Sequence, residues 1–450
     1  MESMQLLSGR PSRRQFLRMT FAAGFGATLT SMIGACAPGA APSGGEAAPE
    51  AAQRTVSVFE SCWDGEHIDT GKKLYTGFRE QNPDLNVEDR WPVGDNWTEE
   101  FLSSVAAGDS TDVVMWCGSP FAFMDAGKLA DLNPLMEADA SFDKEDFYES
   151  MTGLLVKDGH TYGWAYNYST TIMYYNIKLF EEAGVPVPTL EWTWNDLLAM
   201  AQQLTKATGD PTTEQWGYIF RRIDLEHMSQ SFGGNWVNAD EKRCDFTMPE
   251  TVEALQFFSD LIYKHKVSPS PEQMGGQDPE ALFAAGRVAL IGMPEWALLD
   301  FNRAHDDQGL EYDVMLMPNG PSGRKTRLRP GETSIMQDTK DLDSAWEVFK
   351  YILSPEYQKA MQVELPESPP PRKSVNEYKW KEFTTYPESR ELYLEQPSYG
   401  VFPFYDLRYG KEMEDVIWPL MDTLMLGSEQ NAEALANQLC EVVDEKFSEV

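Results

Sequence analysis

The sequence predicts an α/β protein of two lobes, each a mostly parallel sheet flanked by helices, with the chain crossing between them. Three observations lead there. Past residue 54, short β-branched or apolar runs alternate with helical patterns, as a parallel sheet covered by helices requires. That part holds about 400 residues, more than one core absorbs. A long aromatic and β-rich run, Tyr162 to Asn176, has the length to pass from one core to another.

The first 36 residues follow export rules rather than folding rules. Ser12 to Arg18 reads SRRQFLR, and Met19 to Ile33 is an uncharged, moderately apolar run ending in Gly34-Ala35-Cys36. The run is short for a bilayer span, and small residues precede the cysteine, so a cleaved signal peptide is expected over a membrane anchor. The string resembles a twin-arginine (Tat) signal joined to a lipobox, which implies cleavage at residue 35 and lipidation of Cys36. Residues 36–54 carry no large apolar side chain and many Ala, Pro and Gly, so they are expected to form a flexible tether.

From Arg54 the elements follow in order. Val56 to Phe59 is a strand, Gly65 to Asn82 a helix with Ile68, Tyr75 and Phe78 on one side, and Val87 to Trp91 a second strand. Trp97 to Ala107 is helical until Gly108 stops it, and Asp112 to Trp116 is a third strand. Loops at the C-termini of such strands form a ligand crevice, here Glu60 to Asp64 and Trp116 to Phe121. Thr193 with Asp196 reads as a capping box for a helix over Trp194 to Thr205, and Pro249 to Lys264 carries an apolar face. A strand at Arg287 to Gly292, a helix near Glu295 to Arg303 and a strand at Tyr312 to Met317 come next. Pro318 to Pro330 is expected to be a loop. Helices at Ser344 to Leu353, Glu412 to Leu426 and Asn431 to Phe447 close the chain.

Charge and cysteine usage narrow the function. The chain carries −35, and residues 1–35 contribute +3, leaving −38 for the remainder. Nucleic acid and anionic membrane surfaces would be repelled, so neither is an expected partner. The acidic residues are scattered at helix-surface spacing, and no CxxC or paired histidines stand at ligand spacing, so no metal and no cofactor is expected. Cys62 and Cys117 each lie just past a strand of the first sheet. A bridge between them is allowed in an exported protein, with two free thiols the favoured reading.

Five segments, in order, carry a resemblance: AAGDSTDVVMW with FAFMDAGKLADLNP (Ala106 to Pro134), DGHTYGWAYNYSTTIMYYN (Asp158 to Asn176), LFEEAGVPVPTLEWTWNDL (Leu179 to Leu197), ALFAAGRVALIGMPEWAL (Ala281 to Leu298) and PPPRKSV (Pro369 to Val375). Together they resemble the extracellular solute-binding proteins of carbohydrate ABC importers, the group that contains maltose-binding protein. The resemblance spans Arg54 to Val450. It implies a periplasmic-binding-protein-like fold of type II with hinge crossovers, lobe 1 over 55–168 and 314–345 and lobe 2 over 169–313 and 346–450. It also implies closure around a sugar or oligosaccharide and delivery to the transmembrane subunits of an ABC permease. The expected setting is the outer face of the cell membrane or a periplasm-facing leaflet, with contact to lipid only through Cys36 and a monomeric chain.

Carried over by position, the family's ligand-binding residues fall on Glu60, Trp63 and Asp64 after the first strand and on Trp116 after the third. Ser119 and Pro120 follow that tryptophan, and Ser169 stands at the crossover acid; both depart from maltose-binding protein. On the second lobe Trp296 with Glu295, and late in the chain Phe404 with Arg408, take the remaining places, Tyr405 standing in for Phe404 if the register slips by one. Glu332 is a further candidate where the chain returns to the first lobe. The chemistry agrees independently: a sugar offers an apolar CH face to an aromatic ring and hydroxyls to carboxylate and guanidinium groups. Two other classes compete. A phosphorylated polyol or organic anion would use Arg221, Arg222 and Arg329. A secreted glycoside hydrolase would use two cleft acids such as Asp64 and Glu295. No serine-nucleophile elbow, HExxH or Cys-His pairing marks the chain as an enzyme, and a binding protein is the expected class.

Overall fold

In the computed structural model, residues 53–61, 63, 65–92, 97–109, 111–118, 120–151, 153–210, 213–365 and 368–450 are described. The expected signal peptide, Cys36 and the expected tether up to residue 52 lie outside them, as do Cys62, Asp64 and Ser119.

A nine-stranded sheet runs through the molecule, seven of its strands in the order Leu85–Arg90, Arg54–Glu60, Val113–Met115, Thr326–Ile335, Trp164–Asn176, Val288–Pro294 and Trp216–Ile219, with Tyr312–Met315 beside Trp164–Asn176 and Gly400–Val401 beside Thr326–Ile335. The predicted strands are all present, within two residues at most ends. The helix Trp194–Leu204 opens on the capping box read from Thr193 and Asp196, with both reciprocal hydrogen bonds formed at 3.2 and 2.9 Å. Among the described residues no helix is long and apolar enough to cross a membrane, and no cluster of three or more His, Cys, Asp or Glu is placed to hold a metal ion.

Two lobes share this sheet because one strand belongs to both. Trp164–Asn176 pairs with Thr326–Ile335 over its first half and with Val288–Pro294 and Tyr312–Met315 over its second. Its side chains alternate between faces, as a strand requires. Ile172 and Tyr174 enter one core with Val288, Phe301 and Tyr312; Met173 and Tyr175 enter another with Leu197, Tyr218 and Phe258. Helices on both faces explain why this half of the strand is buried throughout.

The pairing is more mixed than expected. Arg54–Glu60 is parallel to both its neighbours, and Val288–Pro294 is parallel to Trp216–Ile219. Thr326–Ile335 is antiparallel to Val113–Met115 and to Trp164–Asn176. It carries the chain back while Trp164–Asn176 carries it out, so the two must run in opposite senses.

Three expectations about chain course are corrected. The predicted loop Pro318 to Pro330 ends in the strand Thr326–Ile335, because Pro330 and Gly331 sit at a bulge instead of a turn. Residues 314–325 were expected in lobe 1, yet Val314, Met315 and Met317 pack in the cores around the second half of the crossover strand. Residues 346–361 were expected in lobe 2, yet Trp346, Val348, Phe349, Tyr357 and Met361 pack with Val56, Val58 and Tyr75 of the first lobe. The apolar stripe of the helix Leu342–Ile352 covers that sheet on arrival, so its place is fixed by burial and not by sequence order.

The cysteines also differ from expectation. Cys117 is disulfide-bonded, so the free-thiol reading fails there. A disulfide not foreseen joins Cys244 to Cys440, tying the short hairpin at Val237–Cys244 to the last helix, Ala432–Glu449, across 196 residues.

Candidate functional site

The two halves of the sheet meet at a cavity of about 340 Å³. Its floor is the bulge where the crossover and return strands pair. The register skips between Gly331 and Glu332, leaving Tyr166 as the extra residue opposite them. Tyr166, Asn167, Tyr168 and Ser169 thus all border the cavity, where a regular strand would turn every second one away. The Asn167 side-chain oxygen accepts the Gly331 N–H at 3.1 Å, replacing a ladder partner lost at the bulge. Gly331 is required here, since a Cβ at that position would lie 2.2 Å from the same oxygen.

Aromatic walls come from both lobes. Trp63 and Trp116 border the cavity from the first lobe and Trp296 from the second. Trp63 stacks on His67 at 4.9 Å, and Trp116 is held by Phe101 at 5.2 Å and Phe123 at 4.9 Å. Trp296 is half-buried, with the Arg221 guanidinium 5.8 Å from its ring.

The polar lining is dense in charge. Arg221 donates from two nitrogens to buried Asp224, at 2.8 and 2.9 Å, and Arg329 donates to both oxygens of Asp406, at 2.8 and 3.1 Å. Arg327 donates to the Tyr405 hydroxyl at 3.0 Å, and its Nε has no partner. Burial works against the Arg327 charge, but Tyr405, Asp224 and Asp406 outweigh it and hold the guanidinium protonated. Glu332 is buried against the cavity with neither oxygen hydrogen-bonded. Desolvation first, and the Asp406 charge second, push its carboxyl up to about 8. Behind this layer His227 has no partner on either ring nitrogen, and burial pushes it down to about 4.

Of the residues expected at the site, Trp63, Trp116, Ser169, Trp296 and Glu332 border one cavity. Others are placed elsewhere, each for a physical reason. Glu60 is fully buried under the first sheet, where it accepts from the Tyr75 and Tyr357 hydroxyls, and burial pushes its carboxyl up to about 8. Glu295 is fully buried and accepts from the Thr170 N–H at 2.9 Å and from its hydroxyl, pinning the crossover strand. Glu295, one of the two acids expected of a hydrolase, is thereby turned away from the cavity. Phe404 packs into the second lobe against Trp236 and Trp418. Tyr405 stands one step back, bonding Arg327 and facing the Arg329 guanidinium at 5.8 Å. Arg408 pairs with Asp125 at 2.8 Å, linking the late segment to the helix Phe121–Asp125 of the first lobe. Asp64 and Ser119 lie outside the described residues.

Arg327, Asp406, Tyr166 and Tyr168 were not foreseen as site residues. The signal for Arg327 was present in Thr326-Arg327-Leu328-Arg329, where alternate arginines in a strand share a face. Reading that stretch as a loop concealed it.

Comparison with known proteins adds an independent line. Residues 64–359 match the sequence pattern of the bacterial extracellular solute-binding protein family. A Brucella abortus protein described as a binding protein is 25% identical over 312 residues, 68% of this chain and 72% of that one. The arabinooligosaccharide-binding protein of Halalkalibacterium halodurans is 27% identical over 245 residues, 52% of each chain. Among solved structures, an ABC substrate-binding protein from Listeria monocytogenes in complex with cycloalternan superposes with a TM-score of 0.75 at 23% identity, over 88% of this chain and 99% of that one. At that identity the likeness speaks for the fold alone.

Proposed function

The chain belongs to the bacterial extracellular solute-binding protein family, and from that premise we propose that it captures a sugar or oligosaccharide between its lobes and delivers it to the permease of an ABC importer. The observation that carries this reading is the cavity where the lobes meet, with indole rings from both lobes around guanidinium and carboxyl groups. Flat aromatic faces take the CH side of a pyranose, and the charged groups take its hydroxyls. The arabinooligosaccharide-binding relative supports the same ligand class. A ligand touching both lobes favours the closed arrangement by its differential contacts, so capture and closure are one equilibrium.

The protein acts as a monomer without turnover, and Cys36, lipidated after export, holds it at the membrane through the tether. A thermal-shift screen against neutral and acidic mono- and oligosaccharides, with scattering for contraction and chromatography for hydrolysed product, tests the reading. Stabilisation and contraction without product are expected; product formation would replace the binding protein with an enzyme. Replacing Cys36 with alanine is expected to release the protein from the membrane fraction, and retention there would refute the anchor.

A further inference from the structure

Resting on the saccharide reading, we propose that the preferred ligand is an acidic saccharide, carrying a carboxylate or phosphate, whose anionic group seats on Arg327. The inference comes from an imbalance of charge in a buried place. Three guanidinium groups border the cavity, those of Arg221, Arg327 and Arg329. Two are matched: Arg221 by Asp224 and Arg329 by Asp406, each through two short hydrogen bonds. Arg327 is only 6% exposed and, among the described residues, makes no ion pair. Its one hydrogen bond goes to a neutral phenol, and its Nε is bare.

The remaining acid at the cavity does not close the account. Glu332 makes no hydrogen bond to Arg327 or to any other group, and its burial beside Asp406 favours the neutral carboxyl at neutral pH. A neutral carboxyl is a donor, so it adds to the positive pole by offering a hydrogen bond to an anion. A buried cation whose nearest carboxylates are already paired to other guanidinium groups has donors to spare, and a ligand anion that takes them gains a charge-assisted hydrogen bond in a poorly screened site. The strongly acidic surface opposes an anion at long range, but physiological salt screens that field over about 8 Å, while the cavity field acts at contact. The indole walls bind the sugar rings, and Arg327 selects among sugars by charge.

Calorimetric titration of the full-length chain with matched pairs tests this. Digalacturonic acid against galactobiose forms the carboxylate arm, and glucose 1-phosphate against glucose the phosphate arm. At least one acidic member is expected to bind tenfold or more tightly than its neutral partner, and the arm in which this occurs identifies the anion. Arg327→Gln should remove that preference, bringing the ratio of acidic to neutral affinity from tenfold or more down to about one. If Arg327→Gln does not fold, Arg327→Lys in its place should keep a preference for the acidic member but a smaller one than the parent's, because an ammonium keeps the charge and loses the planar fork; a preference equal to the parent's would overturn the seat. Neutral partners binding as tightly as acidic ones in both arms would overturn the proposal and leave the saccharide reading standing. Failure of all four probes, with binding of inorganic phosphate or acetate alone, would overturn both. An acidic preference that survives Arg327→Gln unchanged would overturn the seat.

Discussion

At the scale of single residues, the same amino acid in the same kind of segment serves different ends, and burial decides which. Trp296 and Glu295 are neighbours in sequence, and both were expected to touch ligand. The indole reaches the cavity, while the carboxylate turns inward to Thr170. Their replacements should therefore separate. Trp296→Ala is expected to weaken saccharide binding more than tenfold, about 1.4 kcal/mol or more, with the melting temperature nearly unchanged; unaltered affinity in titration would remove it from the site. Glu295→Ala leaves two buried donors of Thr170 without an acceptor and is expected to cost about 2–4 kcal/mol of stability in urea unfolding. The place of Trp63, Trp116 and Trp296 at the cavity was legible because motif position and ring chemistry pointed to the same residues. The carboxylates were not, because nothing in the sequence distinguishes a glutamate facing a ligand from one facing Tyr75 and Tyr357 across 15 and 297 residues.

At the scale of elements, most of the helices and strands that periodicity picked out end within a residue or two of those found, while the short helices between them went unread and local signals misled elsewhere. Pro330-Gly331 is a turn signal in isolation, yet here it marks a bulge that opens the cavity floor. Gly331→Ala should force the Asn167 side chain out of place. We expect saccharide affinity to fall at least tenfold while the far-UV circular dichroism remains that of the parent; an affinity within twofold would show that the bulge adapts. The Cys244–Cys440 bridge was likewise illegible, since sequence spacing says nothing about which thiols meet. It closes a loop of 196 residues, for which chain entropy alone gives an upper bound of about 5 kcal/mol. Paired replacement of both cysteines by serine is expected to lower the melting temperature by several degrees, with little effect on ligand affinity. An unchanged melting temperature would mean the helix Ala432–Glu449 holds its place by packing alone.

At the scale of the whole molecule, buried acids make stability depend on pH in an unusual direction. Burial pushes Glu60, Glu226 and Glu332 up to about 8, and Glu295 to about 7, from an ordinary value near 4.5. Between 4.5 and 8 the folded chain holds protons that the unfolded chain has lost, so stability from these groups falls as pH rises through that window. His227, pushed down to about 4, acts oppositely, but its effect is complete by its ordinary value of 6.5. The melting temperature of the ligand-free protein is therefore expected to decline from pH 6.5 to 8; a level or rising profile by calorimetry would contradict it. The two-lobed architecture was legible in the alternation of elements and the long aromatic run. The lobe boundaries were not, because residues 346–361 return to a sheet begun nearly 300 residues earlier, a matter of three-dimensional closure alone. The shared sheet bears on how the protein is made. Thr326–Ile335 sits between Val113–Met115 and Trp164–Asn176, so an emerging chain shorter than about 335 residues has two strand edges exposed and no means of pairing them. Contacts so distant in sequence make for slow folding. The first lobe cannot be completed until that strand and the residues up to Met361 have emerged, so a chain cut before that strand should aggregate instead of yielding a working half.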